Sequence, residues 1–181
     1  MTSIIIPDSV TSIGGEAFSY CESLTSIIIE NPDCIIYDCE DTISNNTIVY
    51  SYEFEGTTYE ASRYVFNGVI YGYEGSTAQA YAKKYGIKFM ALLSIVKQPK
   101  DVCAANGETA SVTVKATGEG LTYKWYYKEE DAAEFTYTSS FTGAMYFITM
   151  NGAYDGTQLY CVITDMFGNT VKTNTVTLSI K

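Results

Sequence analysis

Thiols and carboxylates are the side chains that could carry chemistry in this chain, because the sequence contains no histidine. Histidine is the commonest general base and metal ligand, and no motif for an activated nucleophile is present, so an enzyme is disfavoured. The cysteines are scattered without a C-x-x-C pair, which fits neither a zinc site nor a disulfide framework. We expect them to be small buried side chains. They are Cys21, Cys34, Cys39, Cys103 and Cys161.

The acidic residues are concentrated in the first half of the chain. Residues 1–92 hold 12 acids and 4 bases, whereas residues 93–181 hold 9 acids and 7 bases. Asp33, Asp38, Glu40 and Asp41 could bind calcium, but their spacing matches no calcium-loop motif, and the alternative is a solvated acidic edge. The net charge of −10 disfavours nucleic acid and anionic lipid as partners. We therefore expect no cofactor, no metal, no nucleic acid and no membrane insertion.

Residues 50–68 carry the side chains best suited to recognition. Tyrosine and arginine supply large, stiff, amphipathic contacts and are enriched at interface hot spots. The candidate ligand-binding residues are Tyr52, Phe54, Tyr59, Arg63 and Tyr64. The alternative is that these rings pack on the end of the preceding repeats or on the next domain, because aromatic residues in strands mostly serve packing.

Turn signals in this segment predict a three-stranded meander. Asn67-Gly68 is a strong hairpin signal because both residues tolerate positive φ, and a second turn is expected at Gly56. The predicted strands are residues 49–54, 58–66 and 69–73. Alternatively, Thr57 and Glu60 have the spacing of a capping box, so the segment could be a duplicated helix cap.

A short helix is predicted after this segment, with both ends marked. Ser76 and Gln79 form a capping box, and Gly86 can adopt the left-handed conformation that ends a helix. A single apolar stripe is expected from Ala78, Tyr81, Ala82 and Tyr85. A strand with one buried face should follow over residues 87–91.

An internal repeat precedes these elements, since MTSIIIP recurs as LTSIIIE 23 residues later. Such a period is typical of a leucine-rich-repeat solenoid. Ile5 and Ile28 take the middle strand positions that face solvent, where they could contact a ligand or be covered by neighbouring elements. The side chains expected inside the solenoid are Met1, Ile4, Ile6, Leu24, Ile27 and Ile29 on the strands, and Val10, Ile13, Ala17, Phe18 and Cys21 on the returning arm.

These residues carry a family resemblance. IIIPDSVTSIGGEAFSYCESLTSIII resembles the BspA-type leucine-rich repeats of bacterial surface proteins, and IYGYEGSTAQAYAKKYGIKF resembles the segment that closes such arrays. The resemblance implies a secreted or wall-attached protein that serves adhesion or recognition. The repeat degrades after Asn31, and a stable solenoid usually needs about three repeats, so we expect further repeats upstream.

The second half of the chain alternates apolar and polar residues between turn signals, which predicts about seven short strands in a two-sheet sandwich. Trp125 and Cys161, with the run DGTQLYCVITDMFGNTV, resemble bacterial immunoglobulin-like modules. Val114 stands where that family's first core cysteine would be, so we expect a reduced Cys161 beside Trp125. Leu159 replaces the usual corner tyrosine. Residues 165–169, with Phe167 at the tip, could bind a ligand or be a plain hairpin turn.

The sequence thus predicts a mainly β chain in two domains. Residues 1–93 should form a leucine-rich-repeat segment with a capping helix and an insertion at 50–68, and residues 94–181 an immunoglobulin-like β-sandwich, joined at a fixed angle. The expected function is non-catalytic adhesion or recognition of an extracellular protein or glycan, by a secreted or bacterial cell-wall-attached monomer. The alternative is a structural cap and stalk that presents upstream repeats and has no binding site of its own.

Overall fold

A 23-residue repeat organises the first part of the computed structural model, which describes residues 2–138 and 140–181. Strands predominate throughout. The chain divides into two compact units, Met1–Leu92 and Leu93–Lys181. Met1, which we expect inside the solenoid, lies outside the described residues.

The first unit contains short solenoid strands, one long hairpin and one helix. Its strands are β1 (Ser3–Ile6), β2 (Ser12–Ile13), β3 (Ser26–Ile29), β4 (Ile35–Ile36), β5 (Asn46–Phe54), β6 (Thr57–Val65), β7 (Val69–Gly72) and β8 (Lys88–Ala91), and helix α1 (Thr77–Tyr85) lies between β7 and β8. Strands β1, β3, β7 and β8 form a parallel sheet in that order.

The parallel sheet follows the repeat in the sequence. Ser3 pairs with Ser26, 23 residues later, and Ser26 pairs with Val69, so the β5–β6 hairpin is inserted between two successive strands of the sheet. Alternate side chains point into the solenoid because strand side chains have a period of two. Ile27, Ile29 and Ile70 have no exposed surface, which confirms the predicted inward face.

The returning arm between the strands follows the prediction except at one residue. Ile13 is buried, and Val10, Phe18 and Cys21 are partly buried against the same core. Ala17 is exposed, so its predicted inward position is wrong. It lies in a tight turn in which its own N–H bonds to the Gly14 carbonyl oxygen, and the side chain that reaches the core is that of Phe18.

The predicted three-stranded meander is wrong in its third strand. Strands β5 and β6 form an antiparallel hairpin around Gly56, as expected, but β7 pairs in parallel with β3 and β8. Asn67-Gly68 is therefore not a hairpin turn. A Cβ at Gly68 would lie 2.5 Å from both the Thr25 carbonyl oxygen and the Phe66 ring, so glycine is needed there for close packing. The alternative of a duplicated helix cap is also wrong, because β6 occupies that segment.

Helix α1 forms with both predicted caps. The Gln79 N–H donates to Ser76 Oγ at 3.2 Å, and Gln79 Oε1 accepts from the Gly75 N–H at 2.8 Å, one residue earlier than in a standard capping box. Gly86 has φ 68° and donates to the Ala82 carbonyl oxygen. The buried side chains of the helix are Ala78, Tyr81 and Ala82. The predicted stripe is thus the face that closes the solenoid core.

The second unit is a β-sandwich. Its strands are β9 (Ser94–Lys97), β10 (Val102–Ala104), β11 (Thr109–Thr113), β12 (Lys115–Thr117), β13 (Thr122–Lys128), β14 (Thr136–Thr138), β15 (Met145–Thr149), β16 (Gln158–Thr164), β17 (Thr170–Lys172) and β18 (Val176–Ile180), with a 3-10 turn at Gly152–Tyr154. One sheet has the order β10-β18-β16-β13-β14, with β17 beside β16. The pairs β11–β15 and β9–β12 supply the other strands around the same core.

The core of the sandwich has the arrangement that the sequence predicts. Trp125 pairs with Cys161 in register, and neither side chain has exposed surface. Trp125 Nε1 donates to the Gly143 carbonyl oxygen at 2.9 Å. Val114 and Leu159 are buried in the same cluster, so apolar packing takes the place of a disulfide and a corner tyrosine.

Candidate functional site

The candidate site is the β5–β6 hairpin, whose strands are nine residues long. Its turn has positive φ at Glu55 (49°) and Gly56 (75°), as a two-residue type I′ turn requires. Within the described part of the chain, β5 and β6 pair only with each other. An isolated two-stranded hairpin is marginally stable in water, so this element is unusual in having no third strand.

The two faces of the hairpin differ in chemistry, because successive side chains in a strand point to opposite sides. We call one side the ring face, formed by Ile48, Tyr50, Tyr52, Phe54, Tyr59 and Arg63. The opposite, polar face is formed by Thr47, Val49, Ser51, Glu53, Thr58, Glu60, Ser62 and Tyr64. The five large apolar side chains of the ring face are all between 44% and 60% exposed. An apolar face of this size is ordinarily covered.

The rings pack on one another across the hairpin. Tyr52 and Tyr59 are directly opposite, with ring centroids 5.6 Å apart and planes inclined by 22°. Tyr50 lies 6.5 Å from Tyr52 at 40°. Each of the stacked rings therefore covers part of a face of the other, and the edges and outer faces of the rings remain open to solvent. Such cross-strand pairs stiffen the hairpin without burying it.

Four of the five predicted site residues come together on this surface. Tyr52, Phe54, Tyr59 and Arg63 lie on the ring face. Tyr64 lies on the polar face, where its hydroxyl is 2.8 Å from the Tyr20 hydroxyl and the two rings meet edge to face. This hydrogen bond raises the pKa of Tyr64. Tyr64 therefore connects the base of the hairpin to Tyr20 and is not part of the candidate surface.

The hairpin spans residues 46–65, whereas the predicted insertion begins at residue 50, so Ile48 of the ring face lies outside the prediction. Tyr50 lies within the predicted insertion and on the ring face, but it is not among the five candidate residues. The signal that identifies both is the alternation of Ile48, Tyr50, Tyr52 and Phe54 at a period of two.

Two of the four acidic residues considered for calcium, Asp38 and Glu40, bind other groups of the chain. The Glu40 carboxylate accepts from the Tyr64 N–H at 3.2 Å. Asp38 binds Lys84 and the Tyr85 hydroxyl, and the Lys84 hydrogen bond lowers the pKa of that carboxyl. Among residues 2–138 and 140–181, no group of three potential ligands is placed to hold a metal ion.

Two clefts flank the base of the hairpin. One, of about 440 Å³, is lined by Tyr20, Glu22, Asn45, Asn46 and Thr47 and opens beside β5. The other, of about 430 Å³, lies beside β6 and collects Arg63, Lys83 and Lys84 around Glu40. The cleft beside β5 therefore contains one acidic residue and no basic residue, whereas the cleft beside β6 contains three basic residues.

Residues 165–169 form the second predicted candidate. Asp165 is 8% exposed, and its carboxylate accepts from the N–H groups of Phe167 and Asn169 and from Asn169 Nδ2, each at 2.9 Å. Burial raises the pKa of Asp165, but the hydrogen bonds from Asn169 and Phe167 outweigh this and lower it. Met166 and Phe167 are exposed. The segment is a tightly bonded hairpin turn that presents apolar side chains.

The outer face of the parallel sheet carries an apolar row. Ile5, Ile28, Tyr71 and Met90 are aligned across β1, β3, β7 and β8. Ile5 is 57% exposed, whereas the other three are half-buried. The two predicted positions, Ile5 and Ile28, therefore lie in one row on the outer face, and neighbouring groups already cover much of that row.

The cysteines differ in burial. Cys34 and Cys161 are buried, and burial raises the pKa of both thiols, that of Cys161 to about 12. These two thiols are therefore protonated at neutral pH. Cys21 and Cys39 are half-buried, and Cys103 is exposed, so the expectation of burial is wrong for Cys103. The alternation of side chains along β10 explains this, because Ala104 points into the core and Cys103 therefore points to the opposite side.

None of the helices in the described residues is long and apolar enough to cross a membrane.

Comparison with known proteins identifies the first part of the chain. Residues 1–71 match the family described as BspA type leucine rich repeat region, six copies. No curated protein matches this chain.

Solved structures resemble the chain over about half its length. A crystal structure of DIP-gamma IG1+IG2 has a TM-score of 0.39 and 20% identity, covering 52% of this chain and 50% of that one. Titin Ig tandem domains have a TM-score of 0.36 and 22% identity, covering 49% and 47%. Chimeric titin Z1Z2 has a TM-score of 0.37 and 14% identity, covering 51% and 96%. This chain therefore spans only about half the length of the first two structures.

The strand order defines the fold of the second unit. Strand β10 pairs in parallel with the last strand, β18, and β16 and β13 pair in antiparallel around Trp125 and Cys161. Residues 1–71 are a BspA-type leucine-rich-repeat region, and an immunoglobulin-like β-sandwich follows it in the chain.

Proposed function

We propose that this chain is a non-catalytic recognition module whose contact surface is the ring face of the β5–β6 hairpin. The observation that carries the proposal is the exposure of that face: its five large apolar side chains are 44–60% exposed on a hairpin that pairs with no other strand in residues 2–138 and 140–181. The partner would be an extracellular protein or glycan, bound by the monomeric chain.

The energetics of the hairpin support this proposal. Burial of apolar area contributes roughly 25 cal/mol per Å², and the ring face leaves this contribution largely unused in the isolated chain. The same rings would contribute it on contact with a partner. Tyrosine loses little conformational freedom on binding because it has few rotatable bonds, and here the rings are already stacked.

The repeat family supports an extracellular setting. BspA-type leucine-rich repeats occur in surface proteins, so we place the chain on a secreted or cell-wall-attached bacterial protein. Such a location would bring the hairpin into contact with components outside the cell. The non-catalytic assignment rests on the residues available, because a chain without histidine lacks the commonest general base.

A structural role is the second candidate function, and helix α1 supports it. The helix buries Ala78, Tyr81 and Ala82 against the solenoid core and thereby closes the end of the repeat sheet. A capping element of this kind would present further repeats without binding a ligand itself. The hairpin lies outside this cap, and its exposed rings are not needed to close the core.

The experiment compares variants of the whole chain on immobilised extracellular matrix proteins and glycans. Tyr52→Ser with Tyr59→Ser removes the central ring pair. Tyr37→Ser is the matched control, because Tyr37 is 60% exposed in the same unit and lies outside the hairpin. We expect the wild type and the control to bind the same component and the double variant to lose at least about tenfold in affinity.

Two results would contradict the proposal. Equal binding by the double variant would show that the ring face is not the contact surface. The absence of binding to every immobilised component would favour the structural cap and stalk. Circular dichroism of each variant is needed alongside, because a variant that fails to fold would not be informative.

A further inference from the structure

We infer that the partner of the hairpin is an extended basic polypeptide that adds to the outer edge of β5 as a third, antiparallel strand. This inference rests on the proposed function and names the chemical class of the partner. It is carried by the free edge of β5, by the stacking of the rings and by the distribution of charge around the edge.

The edge of β5 has unused backbone groups. The Phe54–Thr57 pair flanks the two-residue turn, so it is a hydrogen-bonded pair, and the bonded pairs then recur at every second residue. The N–H and C=O groups of Val49, Ser51 and Glu53 therefore point away from β6. In the described part of the chain, no strand other than β6 pairs with β5, and no loop bonds to the backbone of these three residues.

The sequence of β5 leaves this edge open. Proteins usually protect exposed edges with proline, lysine, a bulge or a covering loop. Strand β5 reads NTIVYSYEF, and it has no proline or lysine, one acid, and regular pairing along all nine residues. The edges of the two strands offer similar backbone groups, since the Thr47 N–H is taken by Asn46 Oδ1 on one and the Tyr64 N–H by the Glu40 carboxylate on the other. They differ in charge, because the cleft beside β6 is lined by Arg63, Lys83 and Lys84, which would repel a basic strand. The favoured site for a basic strand is therefore the edge of β5.

The stacking of the rings favours a polypeptide partner over a glycan partner. Stacking on sugar rings requires aromatic rings that lie side by side with their faces open. Here Tyr52 and Tyr59 stack on each other, with ring centroids 5.6 Å apart and planes inclined by 22°, so each covers part of one face of the other and the two do not form a flat platform. An added strand would lay every second side chain beside these rings, as neighbouring strands do in a sheet.

Charge determines which residues that strand should carry. The polar face holds Glu53 and Glu60 and no basic residue, Glu55 lies in the turn, and Glu22 lines the cleft at the base of β5. In an antiparallel addition, the residues bonded to Val49, Ser51 and Glu53 place their side chains on this polar face. The complementary strand therefore alternates basic residues, on the polar face, with apolar residues on the ring face. The same acids oppose a second copy of this chain, whose net charge is −10.

The first test uses a synthetic nine-residue peptide that alternates valine and lysine, titrated against the whole chain by fluorescence anisotropy. A counterpart with glutamate in place of lysine should bind at least about tenfold more weakly, and added salt should weaken the lysine peptide. N-methylation of the lysines removes the N–H groups that face β5 and should abolish binding. N-methylation of the valines changes only the outer edge and should be tolerated.

Two variants of the chain test the same edge without altering the ring face. Ser51→Pro removes an outward N–H and keeps the bonds to β6, since proline is tolerated on edge strands. Val49→Lys changes a 65% exposed side chain on the polar face and should weaken the lysine peptide and strengthen the glutamate peptide. Circular dichroism checks the fold, and Val49→Lys keeps the test decisive if the proline disturbs the hairpin.

The outcomes separate this inference from the proposed function. Equal binding of both N-methylated peptides, or unchanged binding by Ser51→Pro and Val49→Lys, would overturn strand addition. If the Tyr52→Ser, Tyr59→Ser double variant nevertheless loses affinity for the immobilised component that the wild type binds, the proposed recognition function stands and this inference fails. A wild-type dimer in sedimentation that Ser51→Pro makes monomeric would show that a second copy occupies the edge, which would also overturn the inference. A glycan bound equally by wild type and Ser51→Pro would overturn it as well.

Discussion

Two exposed turns of this chain present aromatic side chains, and they are held in different ways. The β5–β6 hairpin carries Phe54, 60% exposed, beside its turn, and the turn at residues 165–169 carries Phe167, 54% exposed. The second turn is fastened by the carboxylate of Asp165 and by the Met166 N–H, which donates to the Glu119 carbonyl oxygen. The tip of the hairpin is held by its own cross-strand pairs.

Phe54 and Phe167 are similarly exposed although their turns are held differently, so the exposure of an aromatic side chain is not by itself a sign of recognition. A turn that is hydrogen-bonded to a buried carboxylate is held in one conformation although its aromatic side chain, Phe167, is exposed. A hairpin that relies on its own pairs retains unused hydrogen-bonding groups and unburied apolar area, both of which a partner can satisfy.

Hydrogen exchange should show the largest contrast. The amides of Tyr52 and Tyr59 should exchange by local opening of the hairpin, whereas those of Ile27 and Ile70 should exchange only when the repeat unit unfolds. Because local opening needs far less free energy than unfolding, we expect the hairpin amides to exchange at least about a hundredfold faster. Equal protection factors by NMR would show that the hairpin is anchored as firmly as the sheet.

Removing the anchor of the other turn should have the next largest effect. Asp165→Ala deletes a carboxylate that accepts three hydrogen bonds, and bonds to charged groups contribute about 1.5–3 kcal/mol, so we expect a loss of about 2 kcal/mol in unfolding free energy. Urea denaturation followed by Trp125 fluorescence measures this, since the sole tryptophan is buried in the same unit.

Asp131→Ala provides the control for this variant, because Asp131 is exposed in the same unit. It should change the unfolding free energy by less than about 0.5 kcal/mol. A similar loss in both variants would mean that the Asp165 carboxylate does not anchor its turn.

The same carboxylate should make the sandwich sensitive to acid. The pKa of Asp165 in the folded chain is lower than its ordinary value of 3.8, so folding favours the ionised form. Its contribution is therefore complete above that ordinary value and is lost as the pH falls through the folded pKa. Between about pH 6 and about pH 3, the wild type should lose more unfolding free energy than Asp165→Asn. Parallel pH profiles would contradict this.

Removing rings from the hairpin should have the smallest effect on stability. Tyr52→Ser with Tyr59→Ser should change the unfolding free energy of the repeat unit by less than about 0.5 kcal/mol per ring, because both side chains are nearly half exposed and lie outside the solenoid core. Ile70→Ala, at a position with no exposed surface, should cost about 3 kcal/mol. Thermal unfolding followed by far-ultraviolet circular dichroism compares them. A large loss in the tyrosine variant would mean that the rings serve packing.

Local patterns predicted the elements whose interactions are close in sequence. The caps of α1 follow from Ser76, Gln79 and Gly86, and the inward face of the repeat strands follows from alternation. Four of the five candidate residues share one face for the same reason, since Tyr52, Phe54, Tyr59 and Arg63 obey the period of two on a regular hairpin.

The errors arose where distant contacts overrode a local signal. Asn67-Gly68 has the composition of a hairpin turn, but Gly68 is required for its close approach to the Thr25 carbonyl oxygen. Tyr64 resembles its neighbours in sequence, yet the hydroxyl of Tyr20 holds it at the base of the hairpin. Neither contact can be identified from the segment alone.

Local patterns in the sequence are sufficient to predict the repeat, the capping helix, the sandwich and an aromatic segment, because hydrophobic periodicity and helix caps act over a few residues. The pairing of β7 with β3 and β8, which leaves the hairpin without a third strand, depends on the folded chain. That pairing joins Ser26 to Val69, far apart in the chain, and burial of Ile27 and Ile70 in one core selects it. The consequence is a free edge of β5 beside the ring face on which recognition is proposed.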